Sequence, residues 1–157
     1  MQKRTSPSPA LEPLTCNCLA IRQAARQVTQ LYDRHLAAEG LRATQYSILA
    51  KLSRLGPLSI NELAGMMVMD RTTLGRAVRP LERDGLVAIG PGRDGRTRAL
   101  GLTPAGTQRL KAATARWRKA QRQFETAYGM TEAAALRSAL ARVVSPDEGR
   151  SRASGNQ

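Results

Sequence analysis

The chain has 157 residues, and its 25 lysines and arginines against 12 aspartates and glutamates give a formal net charge of +13. This length allows one domain with a real core, and the charge indicates a polyanionic partner, with nucleic acid ahead of a membrane surface. No apolar run approaches the roughly 18 residues needed to cross a bilayer, and the N-terminus lacks the apolar core of a signal peptide. We therefore expect a cytoplasmic protein with no membrane partner.

The first part of the chain predicts a polar tail and two helices. Residues 1–13 are rich in serine and proline, which is typical of disorder. Apolar side chains recur at helical spacing over residues 18–36, and Gly40 is expected to end this first helix. Thr44 is expected to cap a second helix, which the Gly-Pro pair at 56–57 stops.

The stretch that follows predicts two short capped helices. Ser59 and Glu62 have the spacing of a capping box, so a helix begins just after Ser59. Asp70 can accept hydrogen bonds from the first amides of a further helix that begins at Arg71. Two capped helices so close together form a helix-turn-helix.

The second helix of this pair has two contrasting faces. Its apolar face comprises Leu74, Ala77, Val78 and Leu81. The opposite face has no acidic residue and comprises Thr72, Arg76, Arg79 and Arg83. Such a face suits a phosphate-lined groove, but a solvated amphipathic helix standing alone would show the same pattern. Pro80 cannot donate to the Arg76 carbonyl, so we expect a bend that leaves DNA reading to the N-terminal half.

A β-hairpin is predicted directly after this helix. Gly85 closes the helix, residues 86–89 and 97–102 have strand character, and the Gly-, Pro- and Asp-containing segment between them has turn chemistry. A hairpin in this position is a wing. With only five aromatic residues, the chain has no stacking platform for splayed RNA bases, so double-stranded DNA is the preferred nucleic acid.

Two more helices are predicted after the wing. Thr103 is an N-cap and Pro104 occupies the first helical position, where no N–H is needed. The long helix that follows carries an apolar stripe of Leu110, Ala113, Trp117, Ala120, Phe124 and Tyr128. A last helix starts at Thr131, and residues 145–157 are expected to be disordered.

The apolar stripe of the long helix is larger than a compact wing domain can cover. We therefore expect residues 14–40 and 104–144 to be dimerisation helices of a homodimer. The alternative is a monomeric bundle in which the first and last helices cover each other.

This order of elements resembles the MarR family of bacterial regulators over residues 14–144. The motifs that carry the resemblance are Asp-Arg-Thr-Thr at 70–73, Leu-Glu-Arg-Asp-Gly-Leu-Val at 81–87, Asp-Gly-Arg at 94–96 and Leu-Thr-Pro-Ala-Gly at 102–106. The resemblance implies a mainly α fold with a small β-hairpin wing, in which residues 41–103 form the winged helix-turn-helix DNA-binding domain. The recognition helix would enter the major groove, and Arg96 the minor groove, with Asp94 helping to hold the wing. The predicted DNA-binding residues are Thr72, Thr73, Arg76, Arg79, Arg93 and Arg96.

The resemblance also implies a small-molecule effector, often a phenolic or other aromatic acid, bound where the dimer helices meet the wing domain. The candidate lining residues are Arg22, Arg26, Tyr32 and Tyr46, each of which could equally be a packing or surface residue. The expected function is that of a ligand-responsive repressor that binds a near-palindromic operator.

Cys16 and Cys18 suggest an alternative. The segment from Cys18 to Tyr32 is similar to that of organic-hydroperoxide sensors related to MarR, in which a cysteine near the start of the first helix precedes a tyrosine by fourteen residues. A helix N-terminus beginning at Cys18, with Arg22 one turn later, would favour a thiolate there. However, two further tyrosines of those sensors correspond to Arg22 and Ala43. The alternatives are therefore a peroxide-sensing regulator, a thiol peroxidase, or two small, partly buried residues that remain free thiols.

Other chemistry has little support. Cys16, Cys18 and the single histidine, His35, are too few ligands for a closed zinc site, and Asp33 and Glu39 are interpreted as solvated charges. The sequence has no nucleophile elbow, phosphate-binding loop or metalloprotease motif. We expect a protein that is not an enzyme and that needs no cofactor or metal.

Overall fold

The computed structural model describes residues 15–92 and 94–145, and these residues form a mainly helical winged helix-turn-helix. The elements are α1 (Asn17–Leu36), a 3₁₀ turn (Ala37–Glu39), α2 (Ala43–Leu55), α3 (Ile60–Met67), α4 (Arg71–Arg83), β1 (Val87–Pro91), β2 (Arg98–Leu102), α5 (Pro104–Tyr128) and α6 (Met130–Val144). The predicted fold class is confirmed. The predicted tails and Arg93 fall outside the described residues, except for Ser145.

Most predicted helix boundaries hold, but the start of α2 does not. Thr44 was expected to cap this helix, whereas the helix begins at Ala43. The Ala43 amide donates to Oδ1 of Asp33 at 2.7 Å, and the Arg42 amide donates to Oε1 of Gln45 at 2.9 Å. Because these side chains satisfy the first amides, Thr44 lies inside the first turn and caps nothing.

Asp33 and Glu39 are not the solvated charges that the sequence suggested. Only 26% of the Asp33 side chain and 21% of the Glu39 side chain are exposed. Asp33 caps α2, as described above, while Oε1 of Glu39 pairs with Nε of Arg116 at 3.3 Å. The Glu39 carbonyl oxygen also accepts from Nη1 of Arg109 at 2.7 Å. The two carboxylates therefore join α1 and the 3₁₀ turn to α2 and α5.

The core lies where α2, α3 and α4 meet the hairpin. Its largest wholly buried side chains are Leu36, Ile48, Leu49, Leu63, Leu74 and Leu81. In the hairpin, Val87 pairs with Leu102 and Pro91 with Arg98 in antiparallel register. Leu58 adds an isolated bridge to Leu100, with backbone hydrogen bonds of 2.8 and 3.0 Å. This bridge ties the wing to the start of α3.

The start of α5 is pressed against the hairpin. The Thr103 hydroxyl caps the Gly106 amide at 3.0 Å and itself donates to the Gly85 carbonyl at 2.7 Å. A Cβ atom on Gly106 would overlap the Leu86 carbonyl oxygen and lie 2.9 Å from Cδ1 of Leu102. Glycine is therefore required here by close backbone approach, which explains the Leu-Thr-Pro-Ala-Gly motif. None of the helices in the described parts of the chain is both long and apolar enough to cross a membrane.

Candidate nucleic-acid interface

The recognition helix α4 begins with a carboxylate cap, as predicted. Oδ1 of Asp70 accepts from the Thr73 amide at 2.8 Å, and Oδ2 accepts from the Thr73 hydroxyl at 2.5 Å. These bonds hold the pKa of Asp70 below its usual value, with the largest contribution from the Thr73 hydroxyl and the next largest from the Thr73 amide. Because the Thr73 hydroxyl gives its hydrogen to Asp70, it can accept from a base but cannot donate to a phosphate in this arrangement.

The two faces of α4 are also as predicted. Leu74, Val78 and Leu81 are buried, whereas the opposite face, comprising Thr72, Arg76, Arg79 and Arg83, is exposed. The helix continues through Pro80, and the Pro80 carbonyl oxygen accepts from the Asp84 amide at 3.0 Å. Nε of Arg83 pairs with Oδ1 of Asp84 at 3.0 Å. Arg83 is thereby partly neutralised, whereas no ion pair of this kind is seen for Arg76 or Arg79 within the described residues.

Asp94 organises the tip of the wing. Its Oδ1 atom accepts from the Thr97 amide at 3.0 Å, the Thr97 hydroxyl at 2.7 Å and the Arg96 amide at 3.0 Å. These bonds, with the Thr97 amide contributing most, keep the pKa of Asp94 below its usual value. Gly95 completes the turn with φ +69°. The turn presents Arg96 as an exposed side chain, while Arg93 lies outside the described residues.

Sequence reasoning missed two further basic residues of this surface, Arg71 and Arg98. Together with Arg79 they line a cleft of about 520 Å³ between α4 and the hairpin, which we call the wing cleft. Both are exposed, Arg71 as the first residue of α4 and Arg98 as the first of β2. The sequence could place each of them near the start of an element, but only the structure shows that both starts face the same gap. Cations there suit the phosphates between a major and a minor groove.

The candidate effector residues separate into two pairs. Tyr32 and Tyr46 line one cavity of about 180 Å³, the aromatic crevice, together with Val28, Thr29, Ala43, Ser47 and Trp117. The Tyr46 ring stacks on Trp117 with centroids 5.9 Å apart, and its hydroxyl lies 3.3 Å from Oγ1 of Thr114. Arg22 and Arg26 are exposed residues of α1 that do not line this crevice. Trp117, predicted only as part of an apolar stripe, is a wall of the crevice.

Tyr32 also belongs to a polar network. Its hydroxyl donates to Oε1 of Gln121, and Nε2 of Gln121 donates to Oε1 of Glu125 at 2.7 Å. Glu125 in turn pairs with Nη1 of Arg137 at 3.2 Å. Burial raises the pKa of Tyr32, Glu125 raises it further, and Arg137 partly offsets both. Tyr32 is therefore a neutral hydrogen-bond donor at pH 7.

The cysteines lie at the start of α1, which begins at Asn17 rather than at Cys18. Cys16 is the N-cap, and its Sγ accepts from the Leu19 amide at 3.4 Å. Both thiols are free and exposed. Cys18 and Tyr32 are separated by about 21 Å of continuous helix, so they cannot meet within one chain. No group of three or more His, Cys, Asp or Glu residues within the described ranges could hold a metal ion.

Comparisons with known proteins point to one class. The MarR family model matches residues 41–89. The transcriptional activatory protein BadR of Rhodopseudomonas palustris is 34% identical over 88 residues, which are 54% of this chain and 50% of BadR. The matched stretch thus spans half the length of that relative.

Solved structures match over a greater length. The transcriptional regulator MosR of M. tuberculosis is 34% identical with a TM-score of 0.76, over 87% of this chain and 98% of MosR. The crystal structure of MosR in complex with DNA gives 37% identity and a TM-score of 0.73, over 85% of this chain and 96% of that one.

Proposed function

Because the chain belongs to the MarR family of transcriptional regulators, we propose that it binds a near-palindromic operator as a homodimer and represses transcription until an effector lowers its affinity. The single observation that carries DNA binding is the joint exposure of Arg76 on α4 and Arg96 on the wing. Each side chain projects from an element whose conformation is held by an aspartate cap.

Homodimer formation is supported by an apolar groove of about 520 Å³ between α1, α5 and α6. Small and aliphatic side chains dominate its walls, including Ala24, Ala25, Ala133 and Leu136. Ile21 at its edge is 44% exposed and Leu140 is 40% exposed, which is unfavourable for a monomer in water. A second copy of these helices would cover the groove.

DNA binding is tested with duplexes that the full-length protein selects from a randomised pool. We expect one dimer per duplex, half-site centres about one helical turn (~34 Å) apart, and a log–log salt slope steeper than about −3. Light scattering of the complex gives the stoichiometry. A complex with one protein chain per duplex would rule out the dimer, and a shallower slope would rule out many phosphate contacts.

The wing is tested through the flanks of the selected site. Because a minor-groove arginine senses groove width and potential, Arg96→Ala should reduce discrimination in favour of A·T-rich flanks. An unchanged flank preference would remove the wing from recognition.

The aromatic crevice is the proposed effector site. Its volume of about 180 Å³ suits a single aromatic ring, since a cavity of about 150 Å³ accommodates benzene. Four of its lining residues carry a hydroxyl group, namely Thr29, Tyr32, Tyr46 and Ser47, and none of its lining residues is a cation. This composition favours a phenolic hydroxyl over a carboxylate as the polar group.

Effector binding is tested by titrating phenol and benzoic acid separately into the protein–DNA complex. We expect the phenol to release DNA at the lower concentration, and Ser47→Val, which fills part of the crevice and removes a hydroxyl, to weaken that release. Arg26→Ala serves as the control because Arg26 does not line the crevice. Release by neither compound would leave the crevice without an effector role.

The sign of regulation is tested with a promoter that contains the selected site. A repressor lowers reporter expression, and the phenol restores it. Activation by the unliganded protein would reverse the proposal, and this outcome has a precedent in BadR, which is a transcriptional activatory protein.

A peroxide-sensing role is the second candidate, because both thiols are exposed and the Cys16 sulfur meets a helix amide. A hydroperoxide would oxidise one thiol to a sulfenic acid and leave as the alcohol; a second thiol would then form a disulfide with loss of water. The test compares duplex affinity before and after stoichiometric cumene hydroperoxide in wild type, Cys16→Ser and Cys18→Ser. A sensor loses DNA reversibly, whereas steady-state peroxide turnover would indicate a thiol peroxidase.

A further inference from the structure

The turn between α3 and α4 contains a valine in a conformation that valine rarely adopts. Val68 has φ 52° and ψ 46°, and it is the only non-glycine residue with positive φ in the described parts of the chain. Left-handed backbone is unfavourable for L-residues, and branching at Cβ makes it worse. Glycine would adopt this conformation without strain.

The surroundings of Val68, rather than its own side chain, hold the turn in place. The Val68 amide donates to the Gly65 carbonyl at 3.1 Å, and the Met69 amide donates to the Ala64 carbonyl at 3.0 Å. Met67 and Met69, on either side, pack against the core. The Val68 side chain itself is 70% exposed. An apolar side chain is thus kept in a strained position where it adds little to folding, which indicates a use outside the fold.

We infer that Val68 is a specificity-determining residue that packs against the C5-methyl group of a thymine in the major groove. The inference rests on the proposed function, in which the N-terminal end of α4 enters that groove. Val68 precedes the Asp70 cap by two residues and so lies at that end. Among the groups that base pairs present in the major groove, the thymine methyl is the apolar one, and an isopropyl group gains nothing from phosphates.

The test uses a duplex selected by the wild-type protein and variants of it in which each thymine is replaced by deoxyuridine. Burying one methyl group corresponds to about a fourfold change in affinity, so deoxyuridine at one position should weaken wild-type binding about fourfold in one half-site and about sixteenfold in both. Val68→Gly should bind the thymine duplex about fourfold more weakly per half-site and lose nothing further with deoxyuridine. Thermal unfolding should show that this variant folds, because glycine suits the left-handed backbone.

Met66→Ala is the matched control, since Met66 is an apolar residue 45% exposed in α3, two residues before Val68. It should bind like wild type and keep the full response to deoxyuridine. The inference is overturned if Val68→Gly retains wild-type affinity, or if it still responds to deoxyuridine at every position where wild type does. If wild type selects no duplex, the proposed function itself fails and this inference falls with it. If wild type binds tightly but ignores every thymine methyl, only the inference fails.

Discussion

The hydroxyl of Tyr32 donates a hydrogen bond to Oε1 of Gln121, which joins α1 to α5 between two cavities. Tyr32 lines both the apolar groove and the aromatic crevice. In the proposed function, the groove is covered by a second chain and the crevice holds the effector. A ligand in the crevice would therefore contact a residue of the dimer face. Through that contact, ligand binding could change the distance between the two recognition helices of the dimer.

Removing this hydroxyl tests how much the contact stabilises the protein. Tyr32→Phe should lower the free energy of unfolding by about 1 kcal/mol, because the part-buried Gln121 oxygen loses its donor. Tyr128→Phe is the control, since the Tyr128 side chain is 50% exposed. Denaturant unfolding measures both. Equal stabilities of the two variants would show that the Tyr32 hydrogen bond contributes nothing.

Two arginines on the same face of α4 should differ in their importance for DNA. Arg76→Ala should cost about 1–3 kcal/mol of binding free energy and relax preference at one base position per half-site. Arg83→Ala should have a much smaller effect, because Arg83 is already paired with Asp84 at 3.0 Å. The measurement is the affinity of wild type and both variants for a panel of duplexes that each carry one base change. A uniform loss for Arg76→Ala would make it a phosphate contact.

The wing should become less ordered in acid through Asp94. Its pKa lies below the ordinary value of 3.8 because it accepts from Thr97 and Arg96. A carboxylate whose pKa is lower in the folded state stabilises that state fully above its ordinary value, and the contribution disappears as pH falls through the lower, folded-state value. The amide NMR signals of Arg96 and Thr97 should therefore titrate with a midpoint below 3.8. A midpoint at or above 3.8 would contradict this. An Asp94→Asn variant whose Arg96 and Thr97 amide signals stay at their wild-type positions would contradict it as well.

Two glycine substitutions should change stability in opposite directions. Gly106→Ala should lower the free energy of unfolding by about 1–3 kcal/mol, because its Cβ would overlap the Leu86 carbonyl oxygen and force α5 away from the hairpin. Gly65→Ala in α3 should raise it by up to about 1 kcal/mol, since nothing lies within 4 Å of that Cβ and alanine favours helix. Thermal unfolding measures both, and a Gly106→Ala protein as stable as wild type would refute the close approach.

The two thiols should differ in reactivity in the order opposite to that expected from the sequence. Cys16 should alkylate faster than Cys18, because the Cys16 sulfur is the one that accepts a helix amide, at 3.4 Å from the Leu19 nitrogen. Mass spectrometry after a brief iodoacetamide pulse at neutral pH gives the two rates. Faster labelling of Cys18 would instead support the expectation from the sequence, in which the thiolate is favoured at Cys18.

The local features of this chain were decided by its sequence. Ser59 with Glu62, Asp70 with Thr73, and Thr103 with Pro104 begin helices where predicted, because a cap acts within three or four residues. The buried face of α4 followed from helical periodicity for the same reason. The order of these elements was enough to indicate the family and its winged helix-turn-helix fold.

Contacts between distant segments were decided only by the tertiary structure. Asp33 caps a helix ten residues away, and Glu39 meets Arg116 across 77 residues, which no local pattern reveals. The separation of Tyr32 and Tyr46 from Arg22 and Arg26 depends on how α1 packs against α2 and α5, because helix packing determines which residues of an exposed face share a cavity. The strained backbone of Val68 was not predicted either, since valine has no local preference for that conformation; the structure shows it between two backbone hydrogen bonds to α3 and two methionines that pack against the core.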